Sequence, residues 1–267
     1  MSKSIMFIHG AFMTPRCWDH FNTYFTQQGY HCLAPAWPGH DGSVDQLRTH
    51  PDPKLKHLGL AEIIDHHAQI IRSLPEPPIL IGHSFGGLIT EILLDRGLGR
   101  AGVALDPAPT RGIFAARYPT STRSLLRIIA TPRVWRKSVI LSPREFNYAF
   151  IHTLPPDEQK RVYQEYVVPE TGRIFFQGAI APFDAKSPTR VNFDNGHREP
   201  LLIIAGARDH VVPAAMVKAN FRLYNQKSGS ITELQEFPNR THWLIAQTGW
   251  KEIAQSIDGW LHKRLPE

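Results

Sequence analysis

The stretch ILIGHSFGG, residues 79–87, constrains this chain more than any other. A short apolar run leads into Gly82-His83-Ser84-Phe85-Gly86, a G-x-S-x-G pattern, and a helical pattern follows directly. A serine on so sharp a strand-to-helix turn sits at an unfavourable backbone conformation, and side chains two residues to either side would collide with it. Glycine at both flanks meets that need. The motif requires a strand before and a helix after it, and both contexts are present. Ser84 is therefore the candidate nucleophile, against the plainer reading of a small polar residue in a glycine-rich connection.

The rest of the chain supplies the scaffold such a turn needs. Residues 4–9 and 29–35 read as strands, with Trp18, Phe21, Tyr24 and Phe25 at helical offsets between them. Leu60, Ile63, Ile64, Ile70, Ile71 and Leu74 fall on one helical face, which Pro75, Pro77 and Pro78 end before the strand 79–82. Residues 87–94 read as a helix and 101–105 as a buried strand. From residue 107 to 198 the alternation is lost, and helical pieces such as 122–130 and 156–166 stand between prolines. The rhythm returns with a strand at 201–205, a helix at 214–224, a strand at 231–237 and a closing helix at 250–265. Alternating strands and helices predict an α/β fold with a mostly parallel, doubly wound sheet. Residues 1–106 and 199–267 form its core, and 107–198 an inserted helical cap.

Composition narrows the class. The 267 residues are 42% hydrophobic and 20% charged, and no apolar run approaches the roughly 18 to 20 residues that span a bilayer. A soluble chain without a membrane span is expected. Cys17 and Cys32 form no framework, and the first residues resemble no secretory signal, so the expected location is cytoplasmic. The net charge of +6 lies wholly in residues 107–199, with 14 Lys+Arg against 8 Asp+Glu, while the remainder has 16 of each. Its arginines are dispersed among apolar residues without a like-charge run, so no nucleic-acid partner is expected. The partner is a small-molecule substrate with an apolar part; nothing in the sequence sets the oligomeric state.

A serine hydroxyl needs a base, and the base needs a group that fixes its tautomer. Asp209 follows the strand in LLIIAGARD, at the carboxyl end where the sites of open α/β sheets collect. His242, in FPNRTHW, lies between the last strand and the last helix. The order Ser84, Asp209, His242 is that of one family of folds and not of the chymotrypsin or subtilisin types. Together with FIHGAF, PAWPGHDGS and GARDHVVP, it makes the chain resemble the α/β-hydrolase superfamily, in its serine-nucleophile, esterase-like branch.

The resemblance implies an oxyanion hole from the backbone N–H groups of Ala11 and Phe85, with Phe12 as the alternative to Ala11. It also raises Asp106, at the end of strand 101–105, as an alternative acid, although GARDHVVP matches the commoner position. His9, His40, His83 and His210 are expected to shape loops or pack. No metal-ligand spacing is present, and neither a metal nor a cofactor is expected. Phe12 and Trp243 are candidate pocket residues, and Phe114, Tyr118, Trp135, Phe146, Tyr148 and Phe150 candidates for the roof.

The expected activity is hydrolysis of a small or medium carboxylic ester with an apolar moiety, through an acyl-enzyme. Relatives with a similar triad include C–C bond hydrolases, hydroxynitrile lyases, perhydrolases and cofactor-independent dioxygenases, which the fold does not separate. A non-catalytic ligand receptor is the reading from another class.

Overall fold

Strand β1 (Ser4–Ile8) is buried from its second residue onward, and its run of large apolar side chains has water on neither face. It passes through a 3-10 turn at Pro15–Trp18 into α1 (Asp19–Gln27) and then β2 (His31–Leu33), only three residues of the expected longer strand. Next come α2 (Val44–Thr49), α3 (Leu60–Ser73), β3 (Ile79–His83), α4 (Phe85–Asp95) and β4 (Ala101–Leu105). The computed structural model describes residues 4–224 and 228–265.

After β4 come α5 (Pro119–Ile129), β5 (Ser138–Val139), α6 (Pro143–Phe150), α7 (Pro156–Tyr166), β6 (Glu170–Thr171) and α8 (Gly172–Ile180). Then follow β7 (Leu201–Gly206), α9 (Ala214–Leu223), β8 (Thr232–Phe237) and α10 (Trp250–Arg264).

The six long-range strands pair in the order β2-β1-β3-β4-β7-β8, every pair parallel. β3 and β4 are buried throughout, which explains their unbroken apolar sequence. α3 turns Leu60, Ile63, Ile64, Ala68 and Ile71 inward at helical spacing. α1 packs against α10 and α3 against α4, so helices flank the sheet. Among the described residues no helix is long and apolar enough to cross a membrane.

The segment between β4 and β7 is richer than the two expected helical pieces. α5 begins at Pro119, earlier than residue 122, because proline at the first helical turn lacks only an N–H that would go unpaired anyway. α6 starts from a reciprocal Ser142–Glu145 capping box, and α2 from the same arrangement of Ser43 and Gln46. β5 and β6 pair antiparallel, Ser138 opposite Thr171, a two-residue contact too short to leave a sequence signal.

The sheet order places the site. β2 lies on one side of β1 and β3 on the other, so the chain leaves the carboxyl ends of β1 and β3 in diverging directions and opens a crevice there. Ile8 pairs with Gly82, which brings the FIHGAF loop beside the Ser84 turn.

Candidate active site

Ser84 stands between the end of β3 and the first residue of α4, at φ 57° and ψ −122°. That positive φ is costly for a side chain and is held in place by its neighbours. The Ser84 N–H donates to Leu105 O at 2.9 Å, and its carbonyl accepts from the N–H groups of Leu88 and Ala108. A Cβ on Gly82 would lie 2.0 Å from Gly86 O, and one on Gly86 2.0 Å from Ile8 O, so no larger residue fits at either flank. Phe85, the first residue of α4, has an N–H with no acceptor inside the helix and at its positive end.

His242 Nε2 lies 3.0 Å from Ser84 Oγ, and its Nδ1 lies 2.5 Å from Asp209 Oδ2. Asp209 Oδ1 accepts from the N–H groups of Val211 and Val212 at 2.6 and 2.9 Å, which fixes the carboxylate with its other oxygen toward the imidazole. All three residues are buried. The three come from the ends of β3, β7 and β8, non-adjacent in sequence and brought to one edge by the parallel sheet.

Asp106 is close but differently employed. It follows β4 at φ 41°, and its Oδ1 accepts from the Gly206 N–H at 2.7 Å. Burial, and next the neighbouring Asp209, raise its pKa well above the usual carboxylate range. Burial and the neighbouring Asp209 both favour the protonated form of this carboxyl. His83 packs its ring 4.6 Å from that of His242, and burial pushes its pKa well down, so it is a neutral neighbour. Ligand-type atoms of His83, Asp106 and His242 lie within 4.8 Å of one another. Both His242 nitrogens already face Ser84 and Asp209, which leaves two donors, fewer than a protein metal site uses.

The loop after β1 is braced from the far segment. Phe12, at φ 66°, donates its N–H to Glu170 Oε2 at 3.3 Å, and its carbonyl accepts from the Val168 N–H at 2.9 Å. Glu170 also lies 3.2 Å from His40 Nε2, with both side chains buried. Burial disfavours a charged imidazole at His40, but the Glu170 carboxylate and the Pro38 and Pro169 carbonyls together outweigh it and raise the His40 pKa. His9 accepts from the Trp37 N–H at 3.1 Å and stacks on that ring. Its pKa is well below the ordinary value, chiefly through burial, which fits a neutral loop-shaping residue. Three of the four described non-glycine residues with positive φ, Phe12, Ser84 and Asp106, surround the site, so backbone strain concentrates where the groups converge.

Ser84 opens on a cavity of about 330 Å³ lined by Ala11, Phe12, Phe85, Phe150, Phe175 and Val212 among others, with no charged side chain in its wall. Phe175 stacks on Phe12 at 5.2 Å and meets Phe85 edge-on at 5.5 Å. Of the other aromatic candidates, Phe114 and Phe150 line the cavity, whereas Phe146 is core. Tyr118, Trp135 and Tyr148 are not in its wall. Trp243 does not line it either: it is buried edge-on against Tyr166. His210 bonds Tyr148 O at 2.8 Å and stacks on His152, outside the cavity. A wider surface depression of about 590 Å³ near Asp41, His50 and Asp52 holds none of these groups.

Phe175 and Glu170 escaped the sequence reading. Neither belongs to a motif; Glu170 was legible only as an acid ahead of the α8 helix, with no sign of its burial.

A profile of the alpha/beta hydrolase family matches residues 5–255. No curated protein sequence matches significantly. Solved structures share the fold at low identity. A pyrethroid hydrolase from Sphingobium faniae JZ-2 is 17% identical over 100% of this chain and 99% of its own, with a TM-score of 0.67. A monoacylglycerol lipase from Paleococcus ferrophilus is 21% identical over 98% and 94%, with a TM-score of 0.68. A methylesterase from Arabidopsis is 14% identical over 97% and 98%, with a TM-score of 0.66. With the profile spanning nearly its whole length, the chain belongs to the alpha/beta hydrolase family.

Proposed function

We propose that this protein hydrolyses uncharged carboxylic esters with a bulky apolar part, by a serine acyl-enzyme mechanism. The observation that carries the reading is the unbroken chain Ser84 Oγ, His242, Asp209, at 3.0 and 2.5 Å, on the floor of a charge-free cavity. With Nδ1–H directed at Asp209, His242 Nε2 is bare and takes the hydroxyl proton as Ser84 Oγ attacks the ester carbonyl. Asp209 stabilises the imidazolium that results. The oxyanion is held by the N–H groups of Phe85 and Ala11; the Phe12 N–H is taken by Glu170 and serves the loop instead. His242 returns its proton to the departing alcohol, then activates the water that frees the acid.

Residues 107–198 act in this reading as a cap, which contributes Phe114, Phe150 and Phe175 to the walls. The absence of charge from those walls favours a neutral acyl or alcohol group over an anionic one, since a charge placed there would lose its hydration without gaining a partner. The relatives named above, a pyrethroid hydrolase, a lipase and a methylesterase, support ester chemistry in general. Cys17 and Cys32 are both free thiols, which fits a reducing compartment such as the cytoplasm.

The test is intact-mass labelling with an active-site phosphonate, alongside hydrolysis of a chain-length panel of p-nitrophenyl esters. A single adduct, lost in Ser84→Ala together with turnover, is expected. A labelled Ser84 with every ester inert would move the reading to lyase, C–C hydrolase or oxygenase chemistry. No adduct and no turnover would leave a receptor.

A further inference from the structure

The mouth of the cavity is built unlike the rest of the surface. Of the eight large apolar side chains exposed among the described residues, six lie between residues 114 and 183, and four of those also line the cavity. The four are Phe114, Leu126, Ile129 and Phe183, at 38%, 58%, 45% and 82% exposure. α5 makes the pattern plain. It turns Ser121, Ser124 and Ile128 inward and presents Leu126 and Ile129 outward beside Arg123 and Arg127, so its outer face is both apolar and basic. A surface helix that sheds polar serines inward and shows large aliphatic groups to water calls for an apolar neighbour.

Charge says which neighbour. Residues 107–144 contain eight Lys+Arg and no Asp or Glu. Some of these are engaged: Arg127 pairs with Glu145, Arg123 lies over the Tyr148 ring, and Arg111 donates to Asp184 O. Arg117, Arg133, Arg136 and Lys137 are exposed, and no described acid pairs with them. The Arg117 guanidinium lies 5.2 Å from the centre of the Phe114 ring, and Phe114 meets Phe183 edge-on at 5.7 Å, which ties cation to apolar rim. Trp135, exposed between Arg133 and Arg136, packs on Phe176 of α8 at 4.8 Å, which joins this basic turn to the helix that lines the cavity.

A second copy of this chain would set like charges against each other. Nucleic acid would satisfy the arginines but leave Leu126, Ile129 and Phe183 without an apolar partner. An anionic lipid surface offers both, with acyl chains below the headgroups and phosphates among them.

We propose that this rim docks on an anionic lipid surface, with Phe114, Leu126, Ile129 and Phe183 at the headgroup–acyl boundary and Arg117, Arg133, Arg136 and Lys137 against lipid phosphates. The protein lies on the bilayer and does not span it. On the hydrolase reading above, from which the docking is separable, the cavity then opens toward the lipid and takes lipophilic esters dissolved in it.

Vesicle flotation tests this. The protein is expected to float with vesicles of phosphatidylcholine mixed with phosphatidylglycerol and not with phosphatidylcholine alone, and to be released by high salt. Arg133→Glu/Arg136→Glu/Lys137→Glu should weaken binding more than about tenfold, and Leu126→Ser/Phe183→Ser should weaken it too. Both variants are expected to keep the wild-type melting temperature, since these side chains are exposed. Ser84→Ala protein should float as wild type does, so a failure of the hydrolase reading leaves the result legible. Flotation with neither composition, or unchanged flotation of folded variants, overturns the proposal. So does displacement of the vesicles by duplex DNA in preference to lipid, or a dimer in sedimentation velocity that Leu126→Ser/Phe183→Ser abolishes.

Discussion

Ser84, Phe12 and Asp106 are each held at a backbone conformation that side chains avoid, and each has a distinct task at one crevice. The two acids beside His242 divide their roles by environment. Asp209 receives two backbone N–H groups and faces the imidazole, while Asp106 is buried, spends one oxygen on the Gly206 N–H and has its pKa raised by burial. Asp209→Asn is expected to lower kcat by about 10³- to 10⁴-fold, through loss of the correct imidazole tautomer. Asp106→Asn, which keeps an acceptor for Gly206, should cost less than about tenfold, as read in p-nitrophenyl ester kinetics. A reversed ranking would make Asp106 the acid. Glu170 is fully buried and accepts from the Phe12 N–H while facing His40. Glu170→Ala strands the Phe12 N–H and a buried His40, and should lose about 3–5 kcal/mol of stability in denaturant melts. Glu170→Gln retains an acceptor for Phe12 and should lose less.

Between elements, a fully buried polar contact joins α4, which carries the Ser84 turn at its start, to α9 and the residue after it. Glu91 of α4 accepts from Asn220 Nδ2 at 2.9 and 3.0 Å and from Tyr224 Oη at 2.6 Å, in full burial. Burial raises its pKa to about 7, although the Tyr224 and Asn220 hydrogen bonds pull the other way. Because the folded pKa is raised above the unfolded value near 4.5, the folded state binds the extra proton. The associated stability is fully present below pH 4.5 and is lost as pH rises through about 7. Melting of wild type and Glu91→Gln at pH 5 and pH 8 isolates this: wild type should lose more stability across that range than the variant. An equal loss in both would remove Glu91 from the account.

For the whole molecule, the opposition between a charge-free cavity and a basic outer segment sets what electrostatics can do. The net +6 resides outside the cavity wall. kcat/KM for a neutral, soluble ester is therefore expected to change less than about twofold between low salt and half-molar salt, where exposed charges are screened. A steep fall with salt would mean that the arginines steer the substrate itself. Vesicle binding by the same surface should fall steeply over that range, and the two readouts separate rim from cavity.

Much of this was legible before folding. The G-x-S-x-G turn with its flanking strand and helix, the β/α rhythm, and the order of Ser84, Asp209 and His242 are local patterns, and a parallel sheet collects the ends of its strands on one edge whatever lies between. The capping boxes at Ser43 and Ser142 are each written within four residues, yet α2 and α6 were not among the expected helices, because six to eight residues carry too little periodicity. What depended on contacts between distant residues was not legible. Which of two acids faces His242, that Phe12 gives its N–H to Glu170 158 positions away, and that Trp243 turns from the cavity are outcomes of packing. A hydrogen bond between loops leaves no periodicity in either segment. Local pattern in the chain was enough for the Ser84 turn, the parallel sheet beneath it and the order Ser84, Asp209, His242. Which groups touch, what lines the cavity and which apolar side chains its mouth leaves in water emerge with folding, because they depend on three-dimensional closure of the segment between β4 and β7.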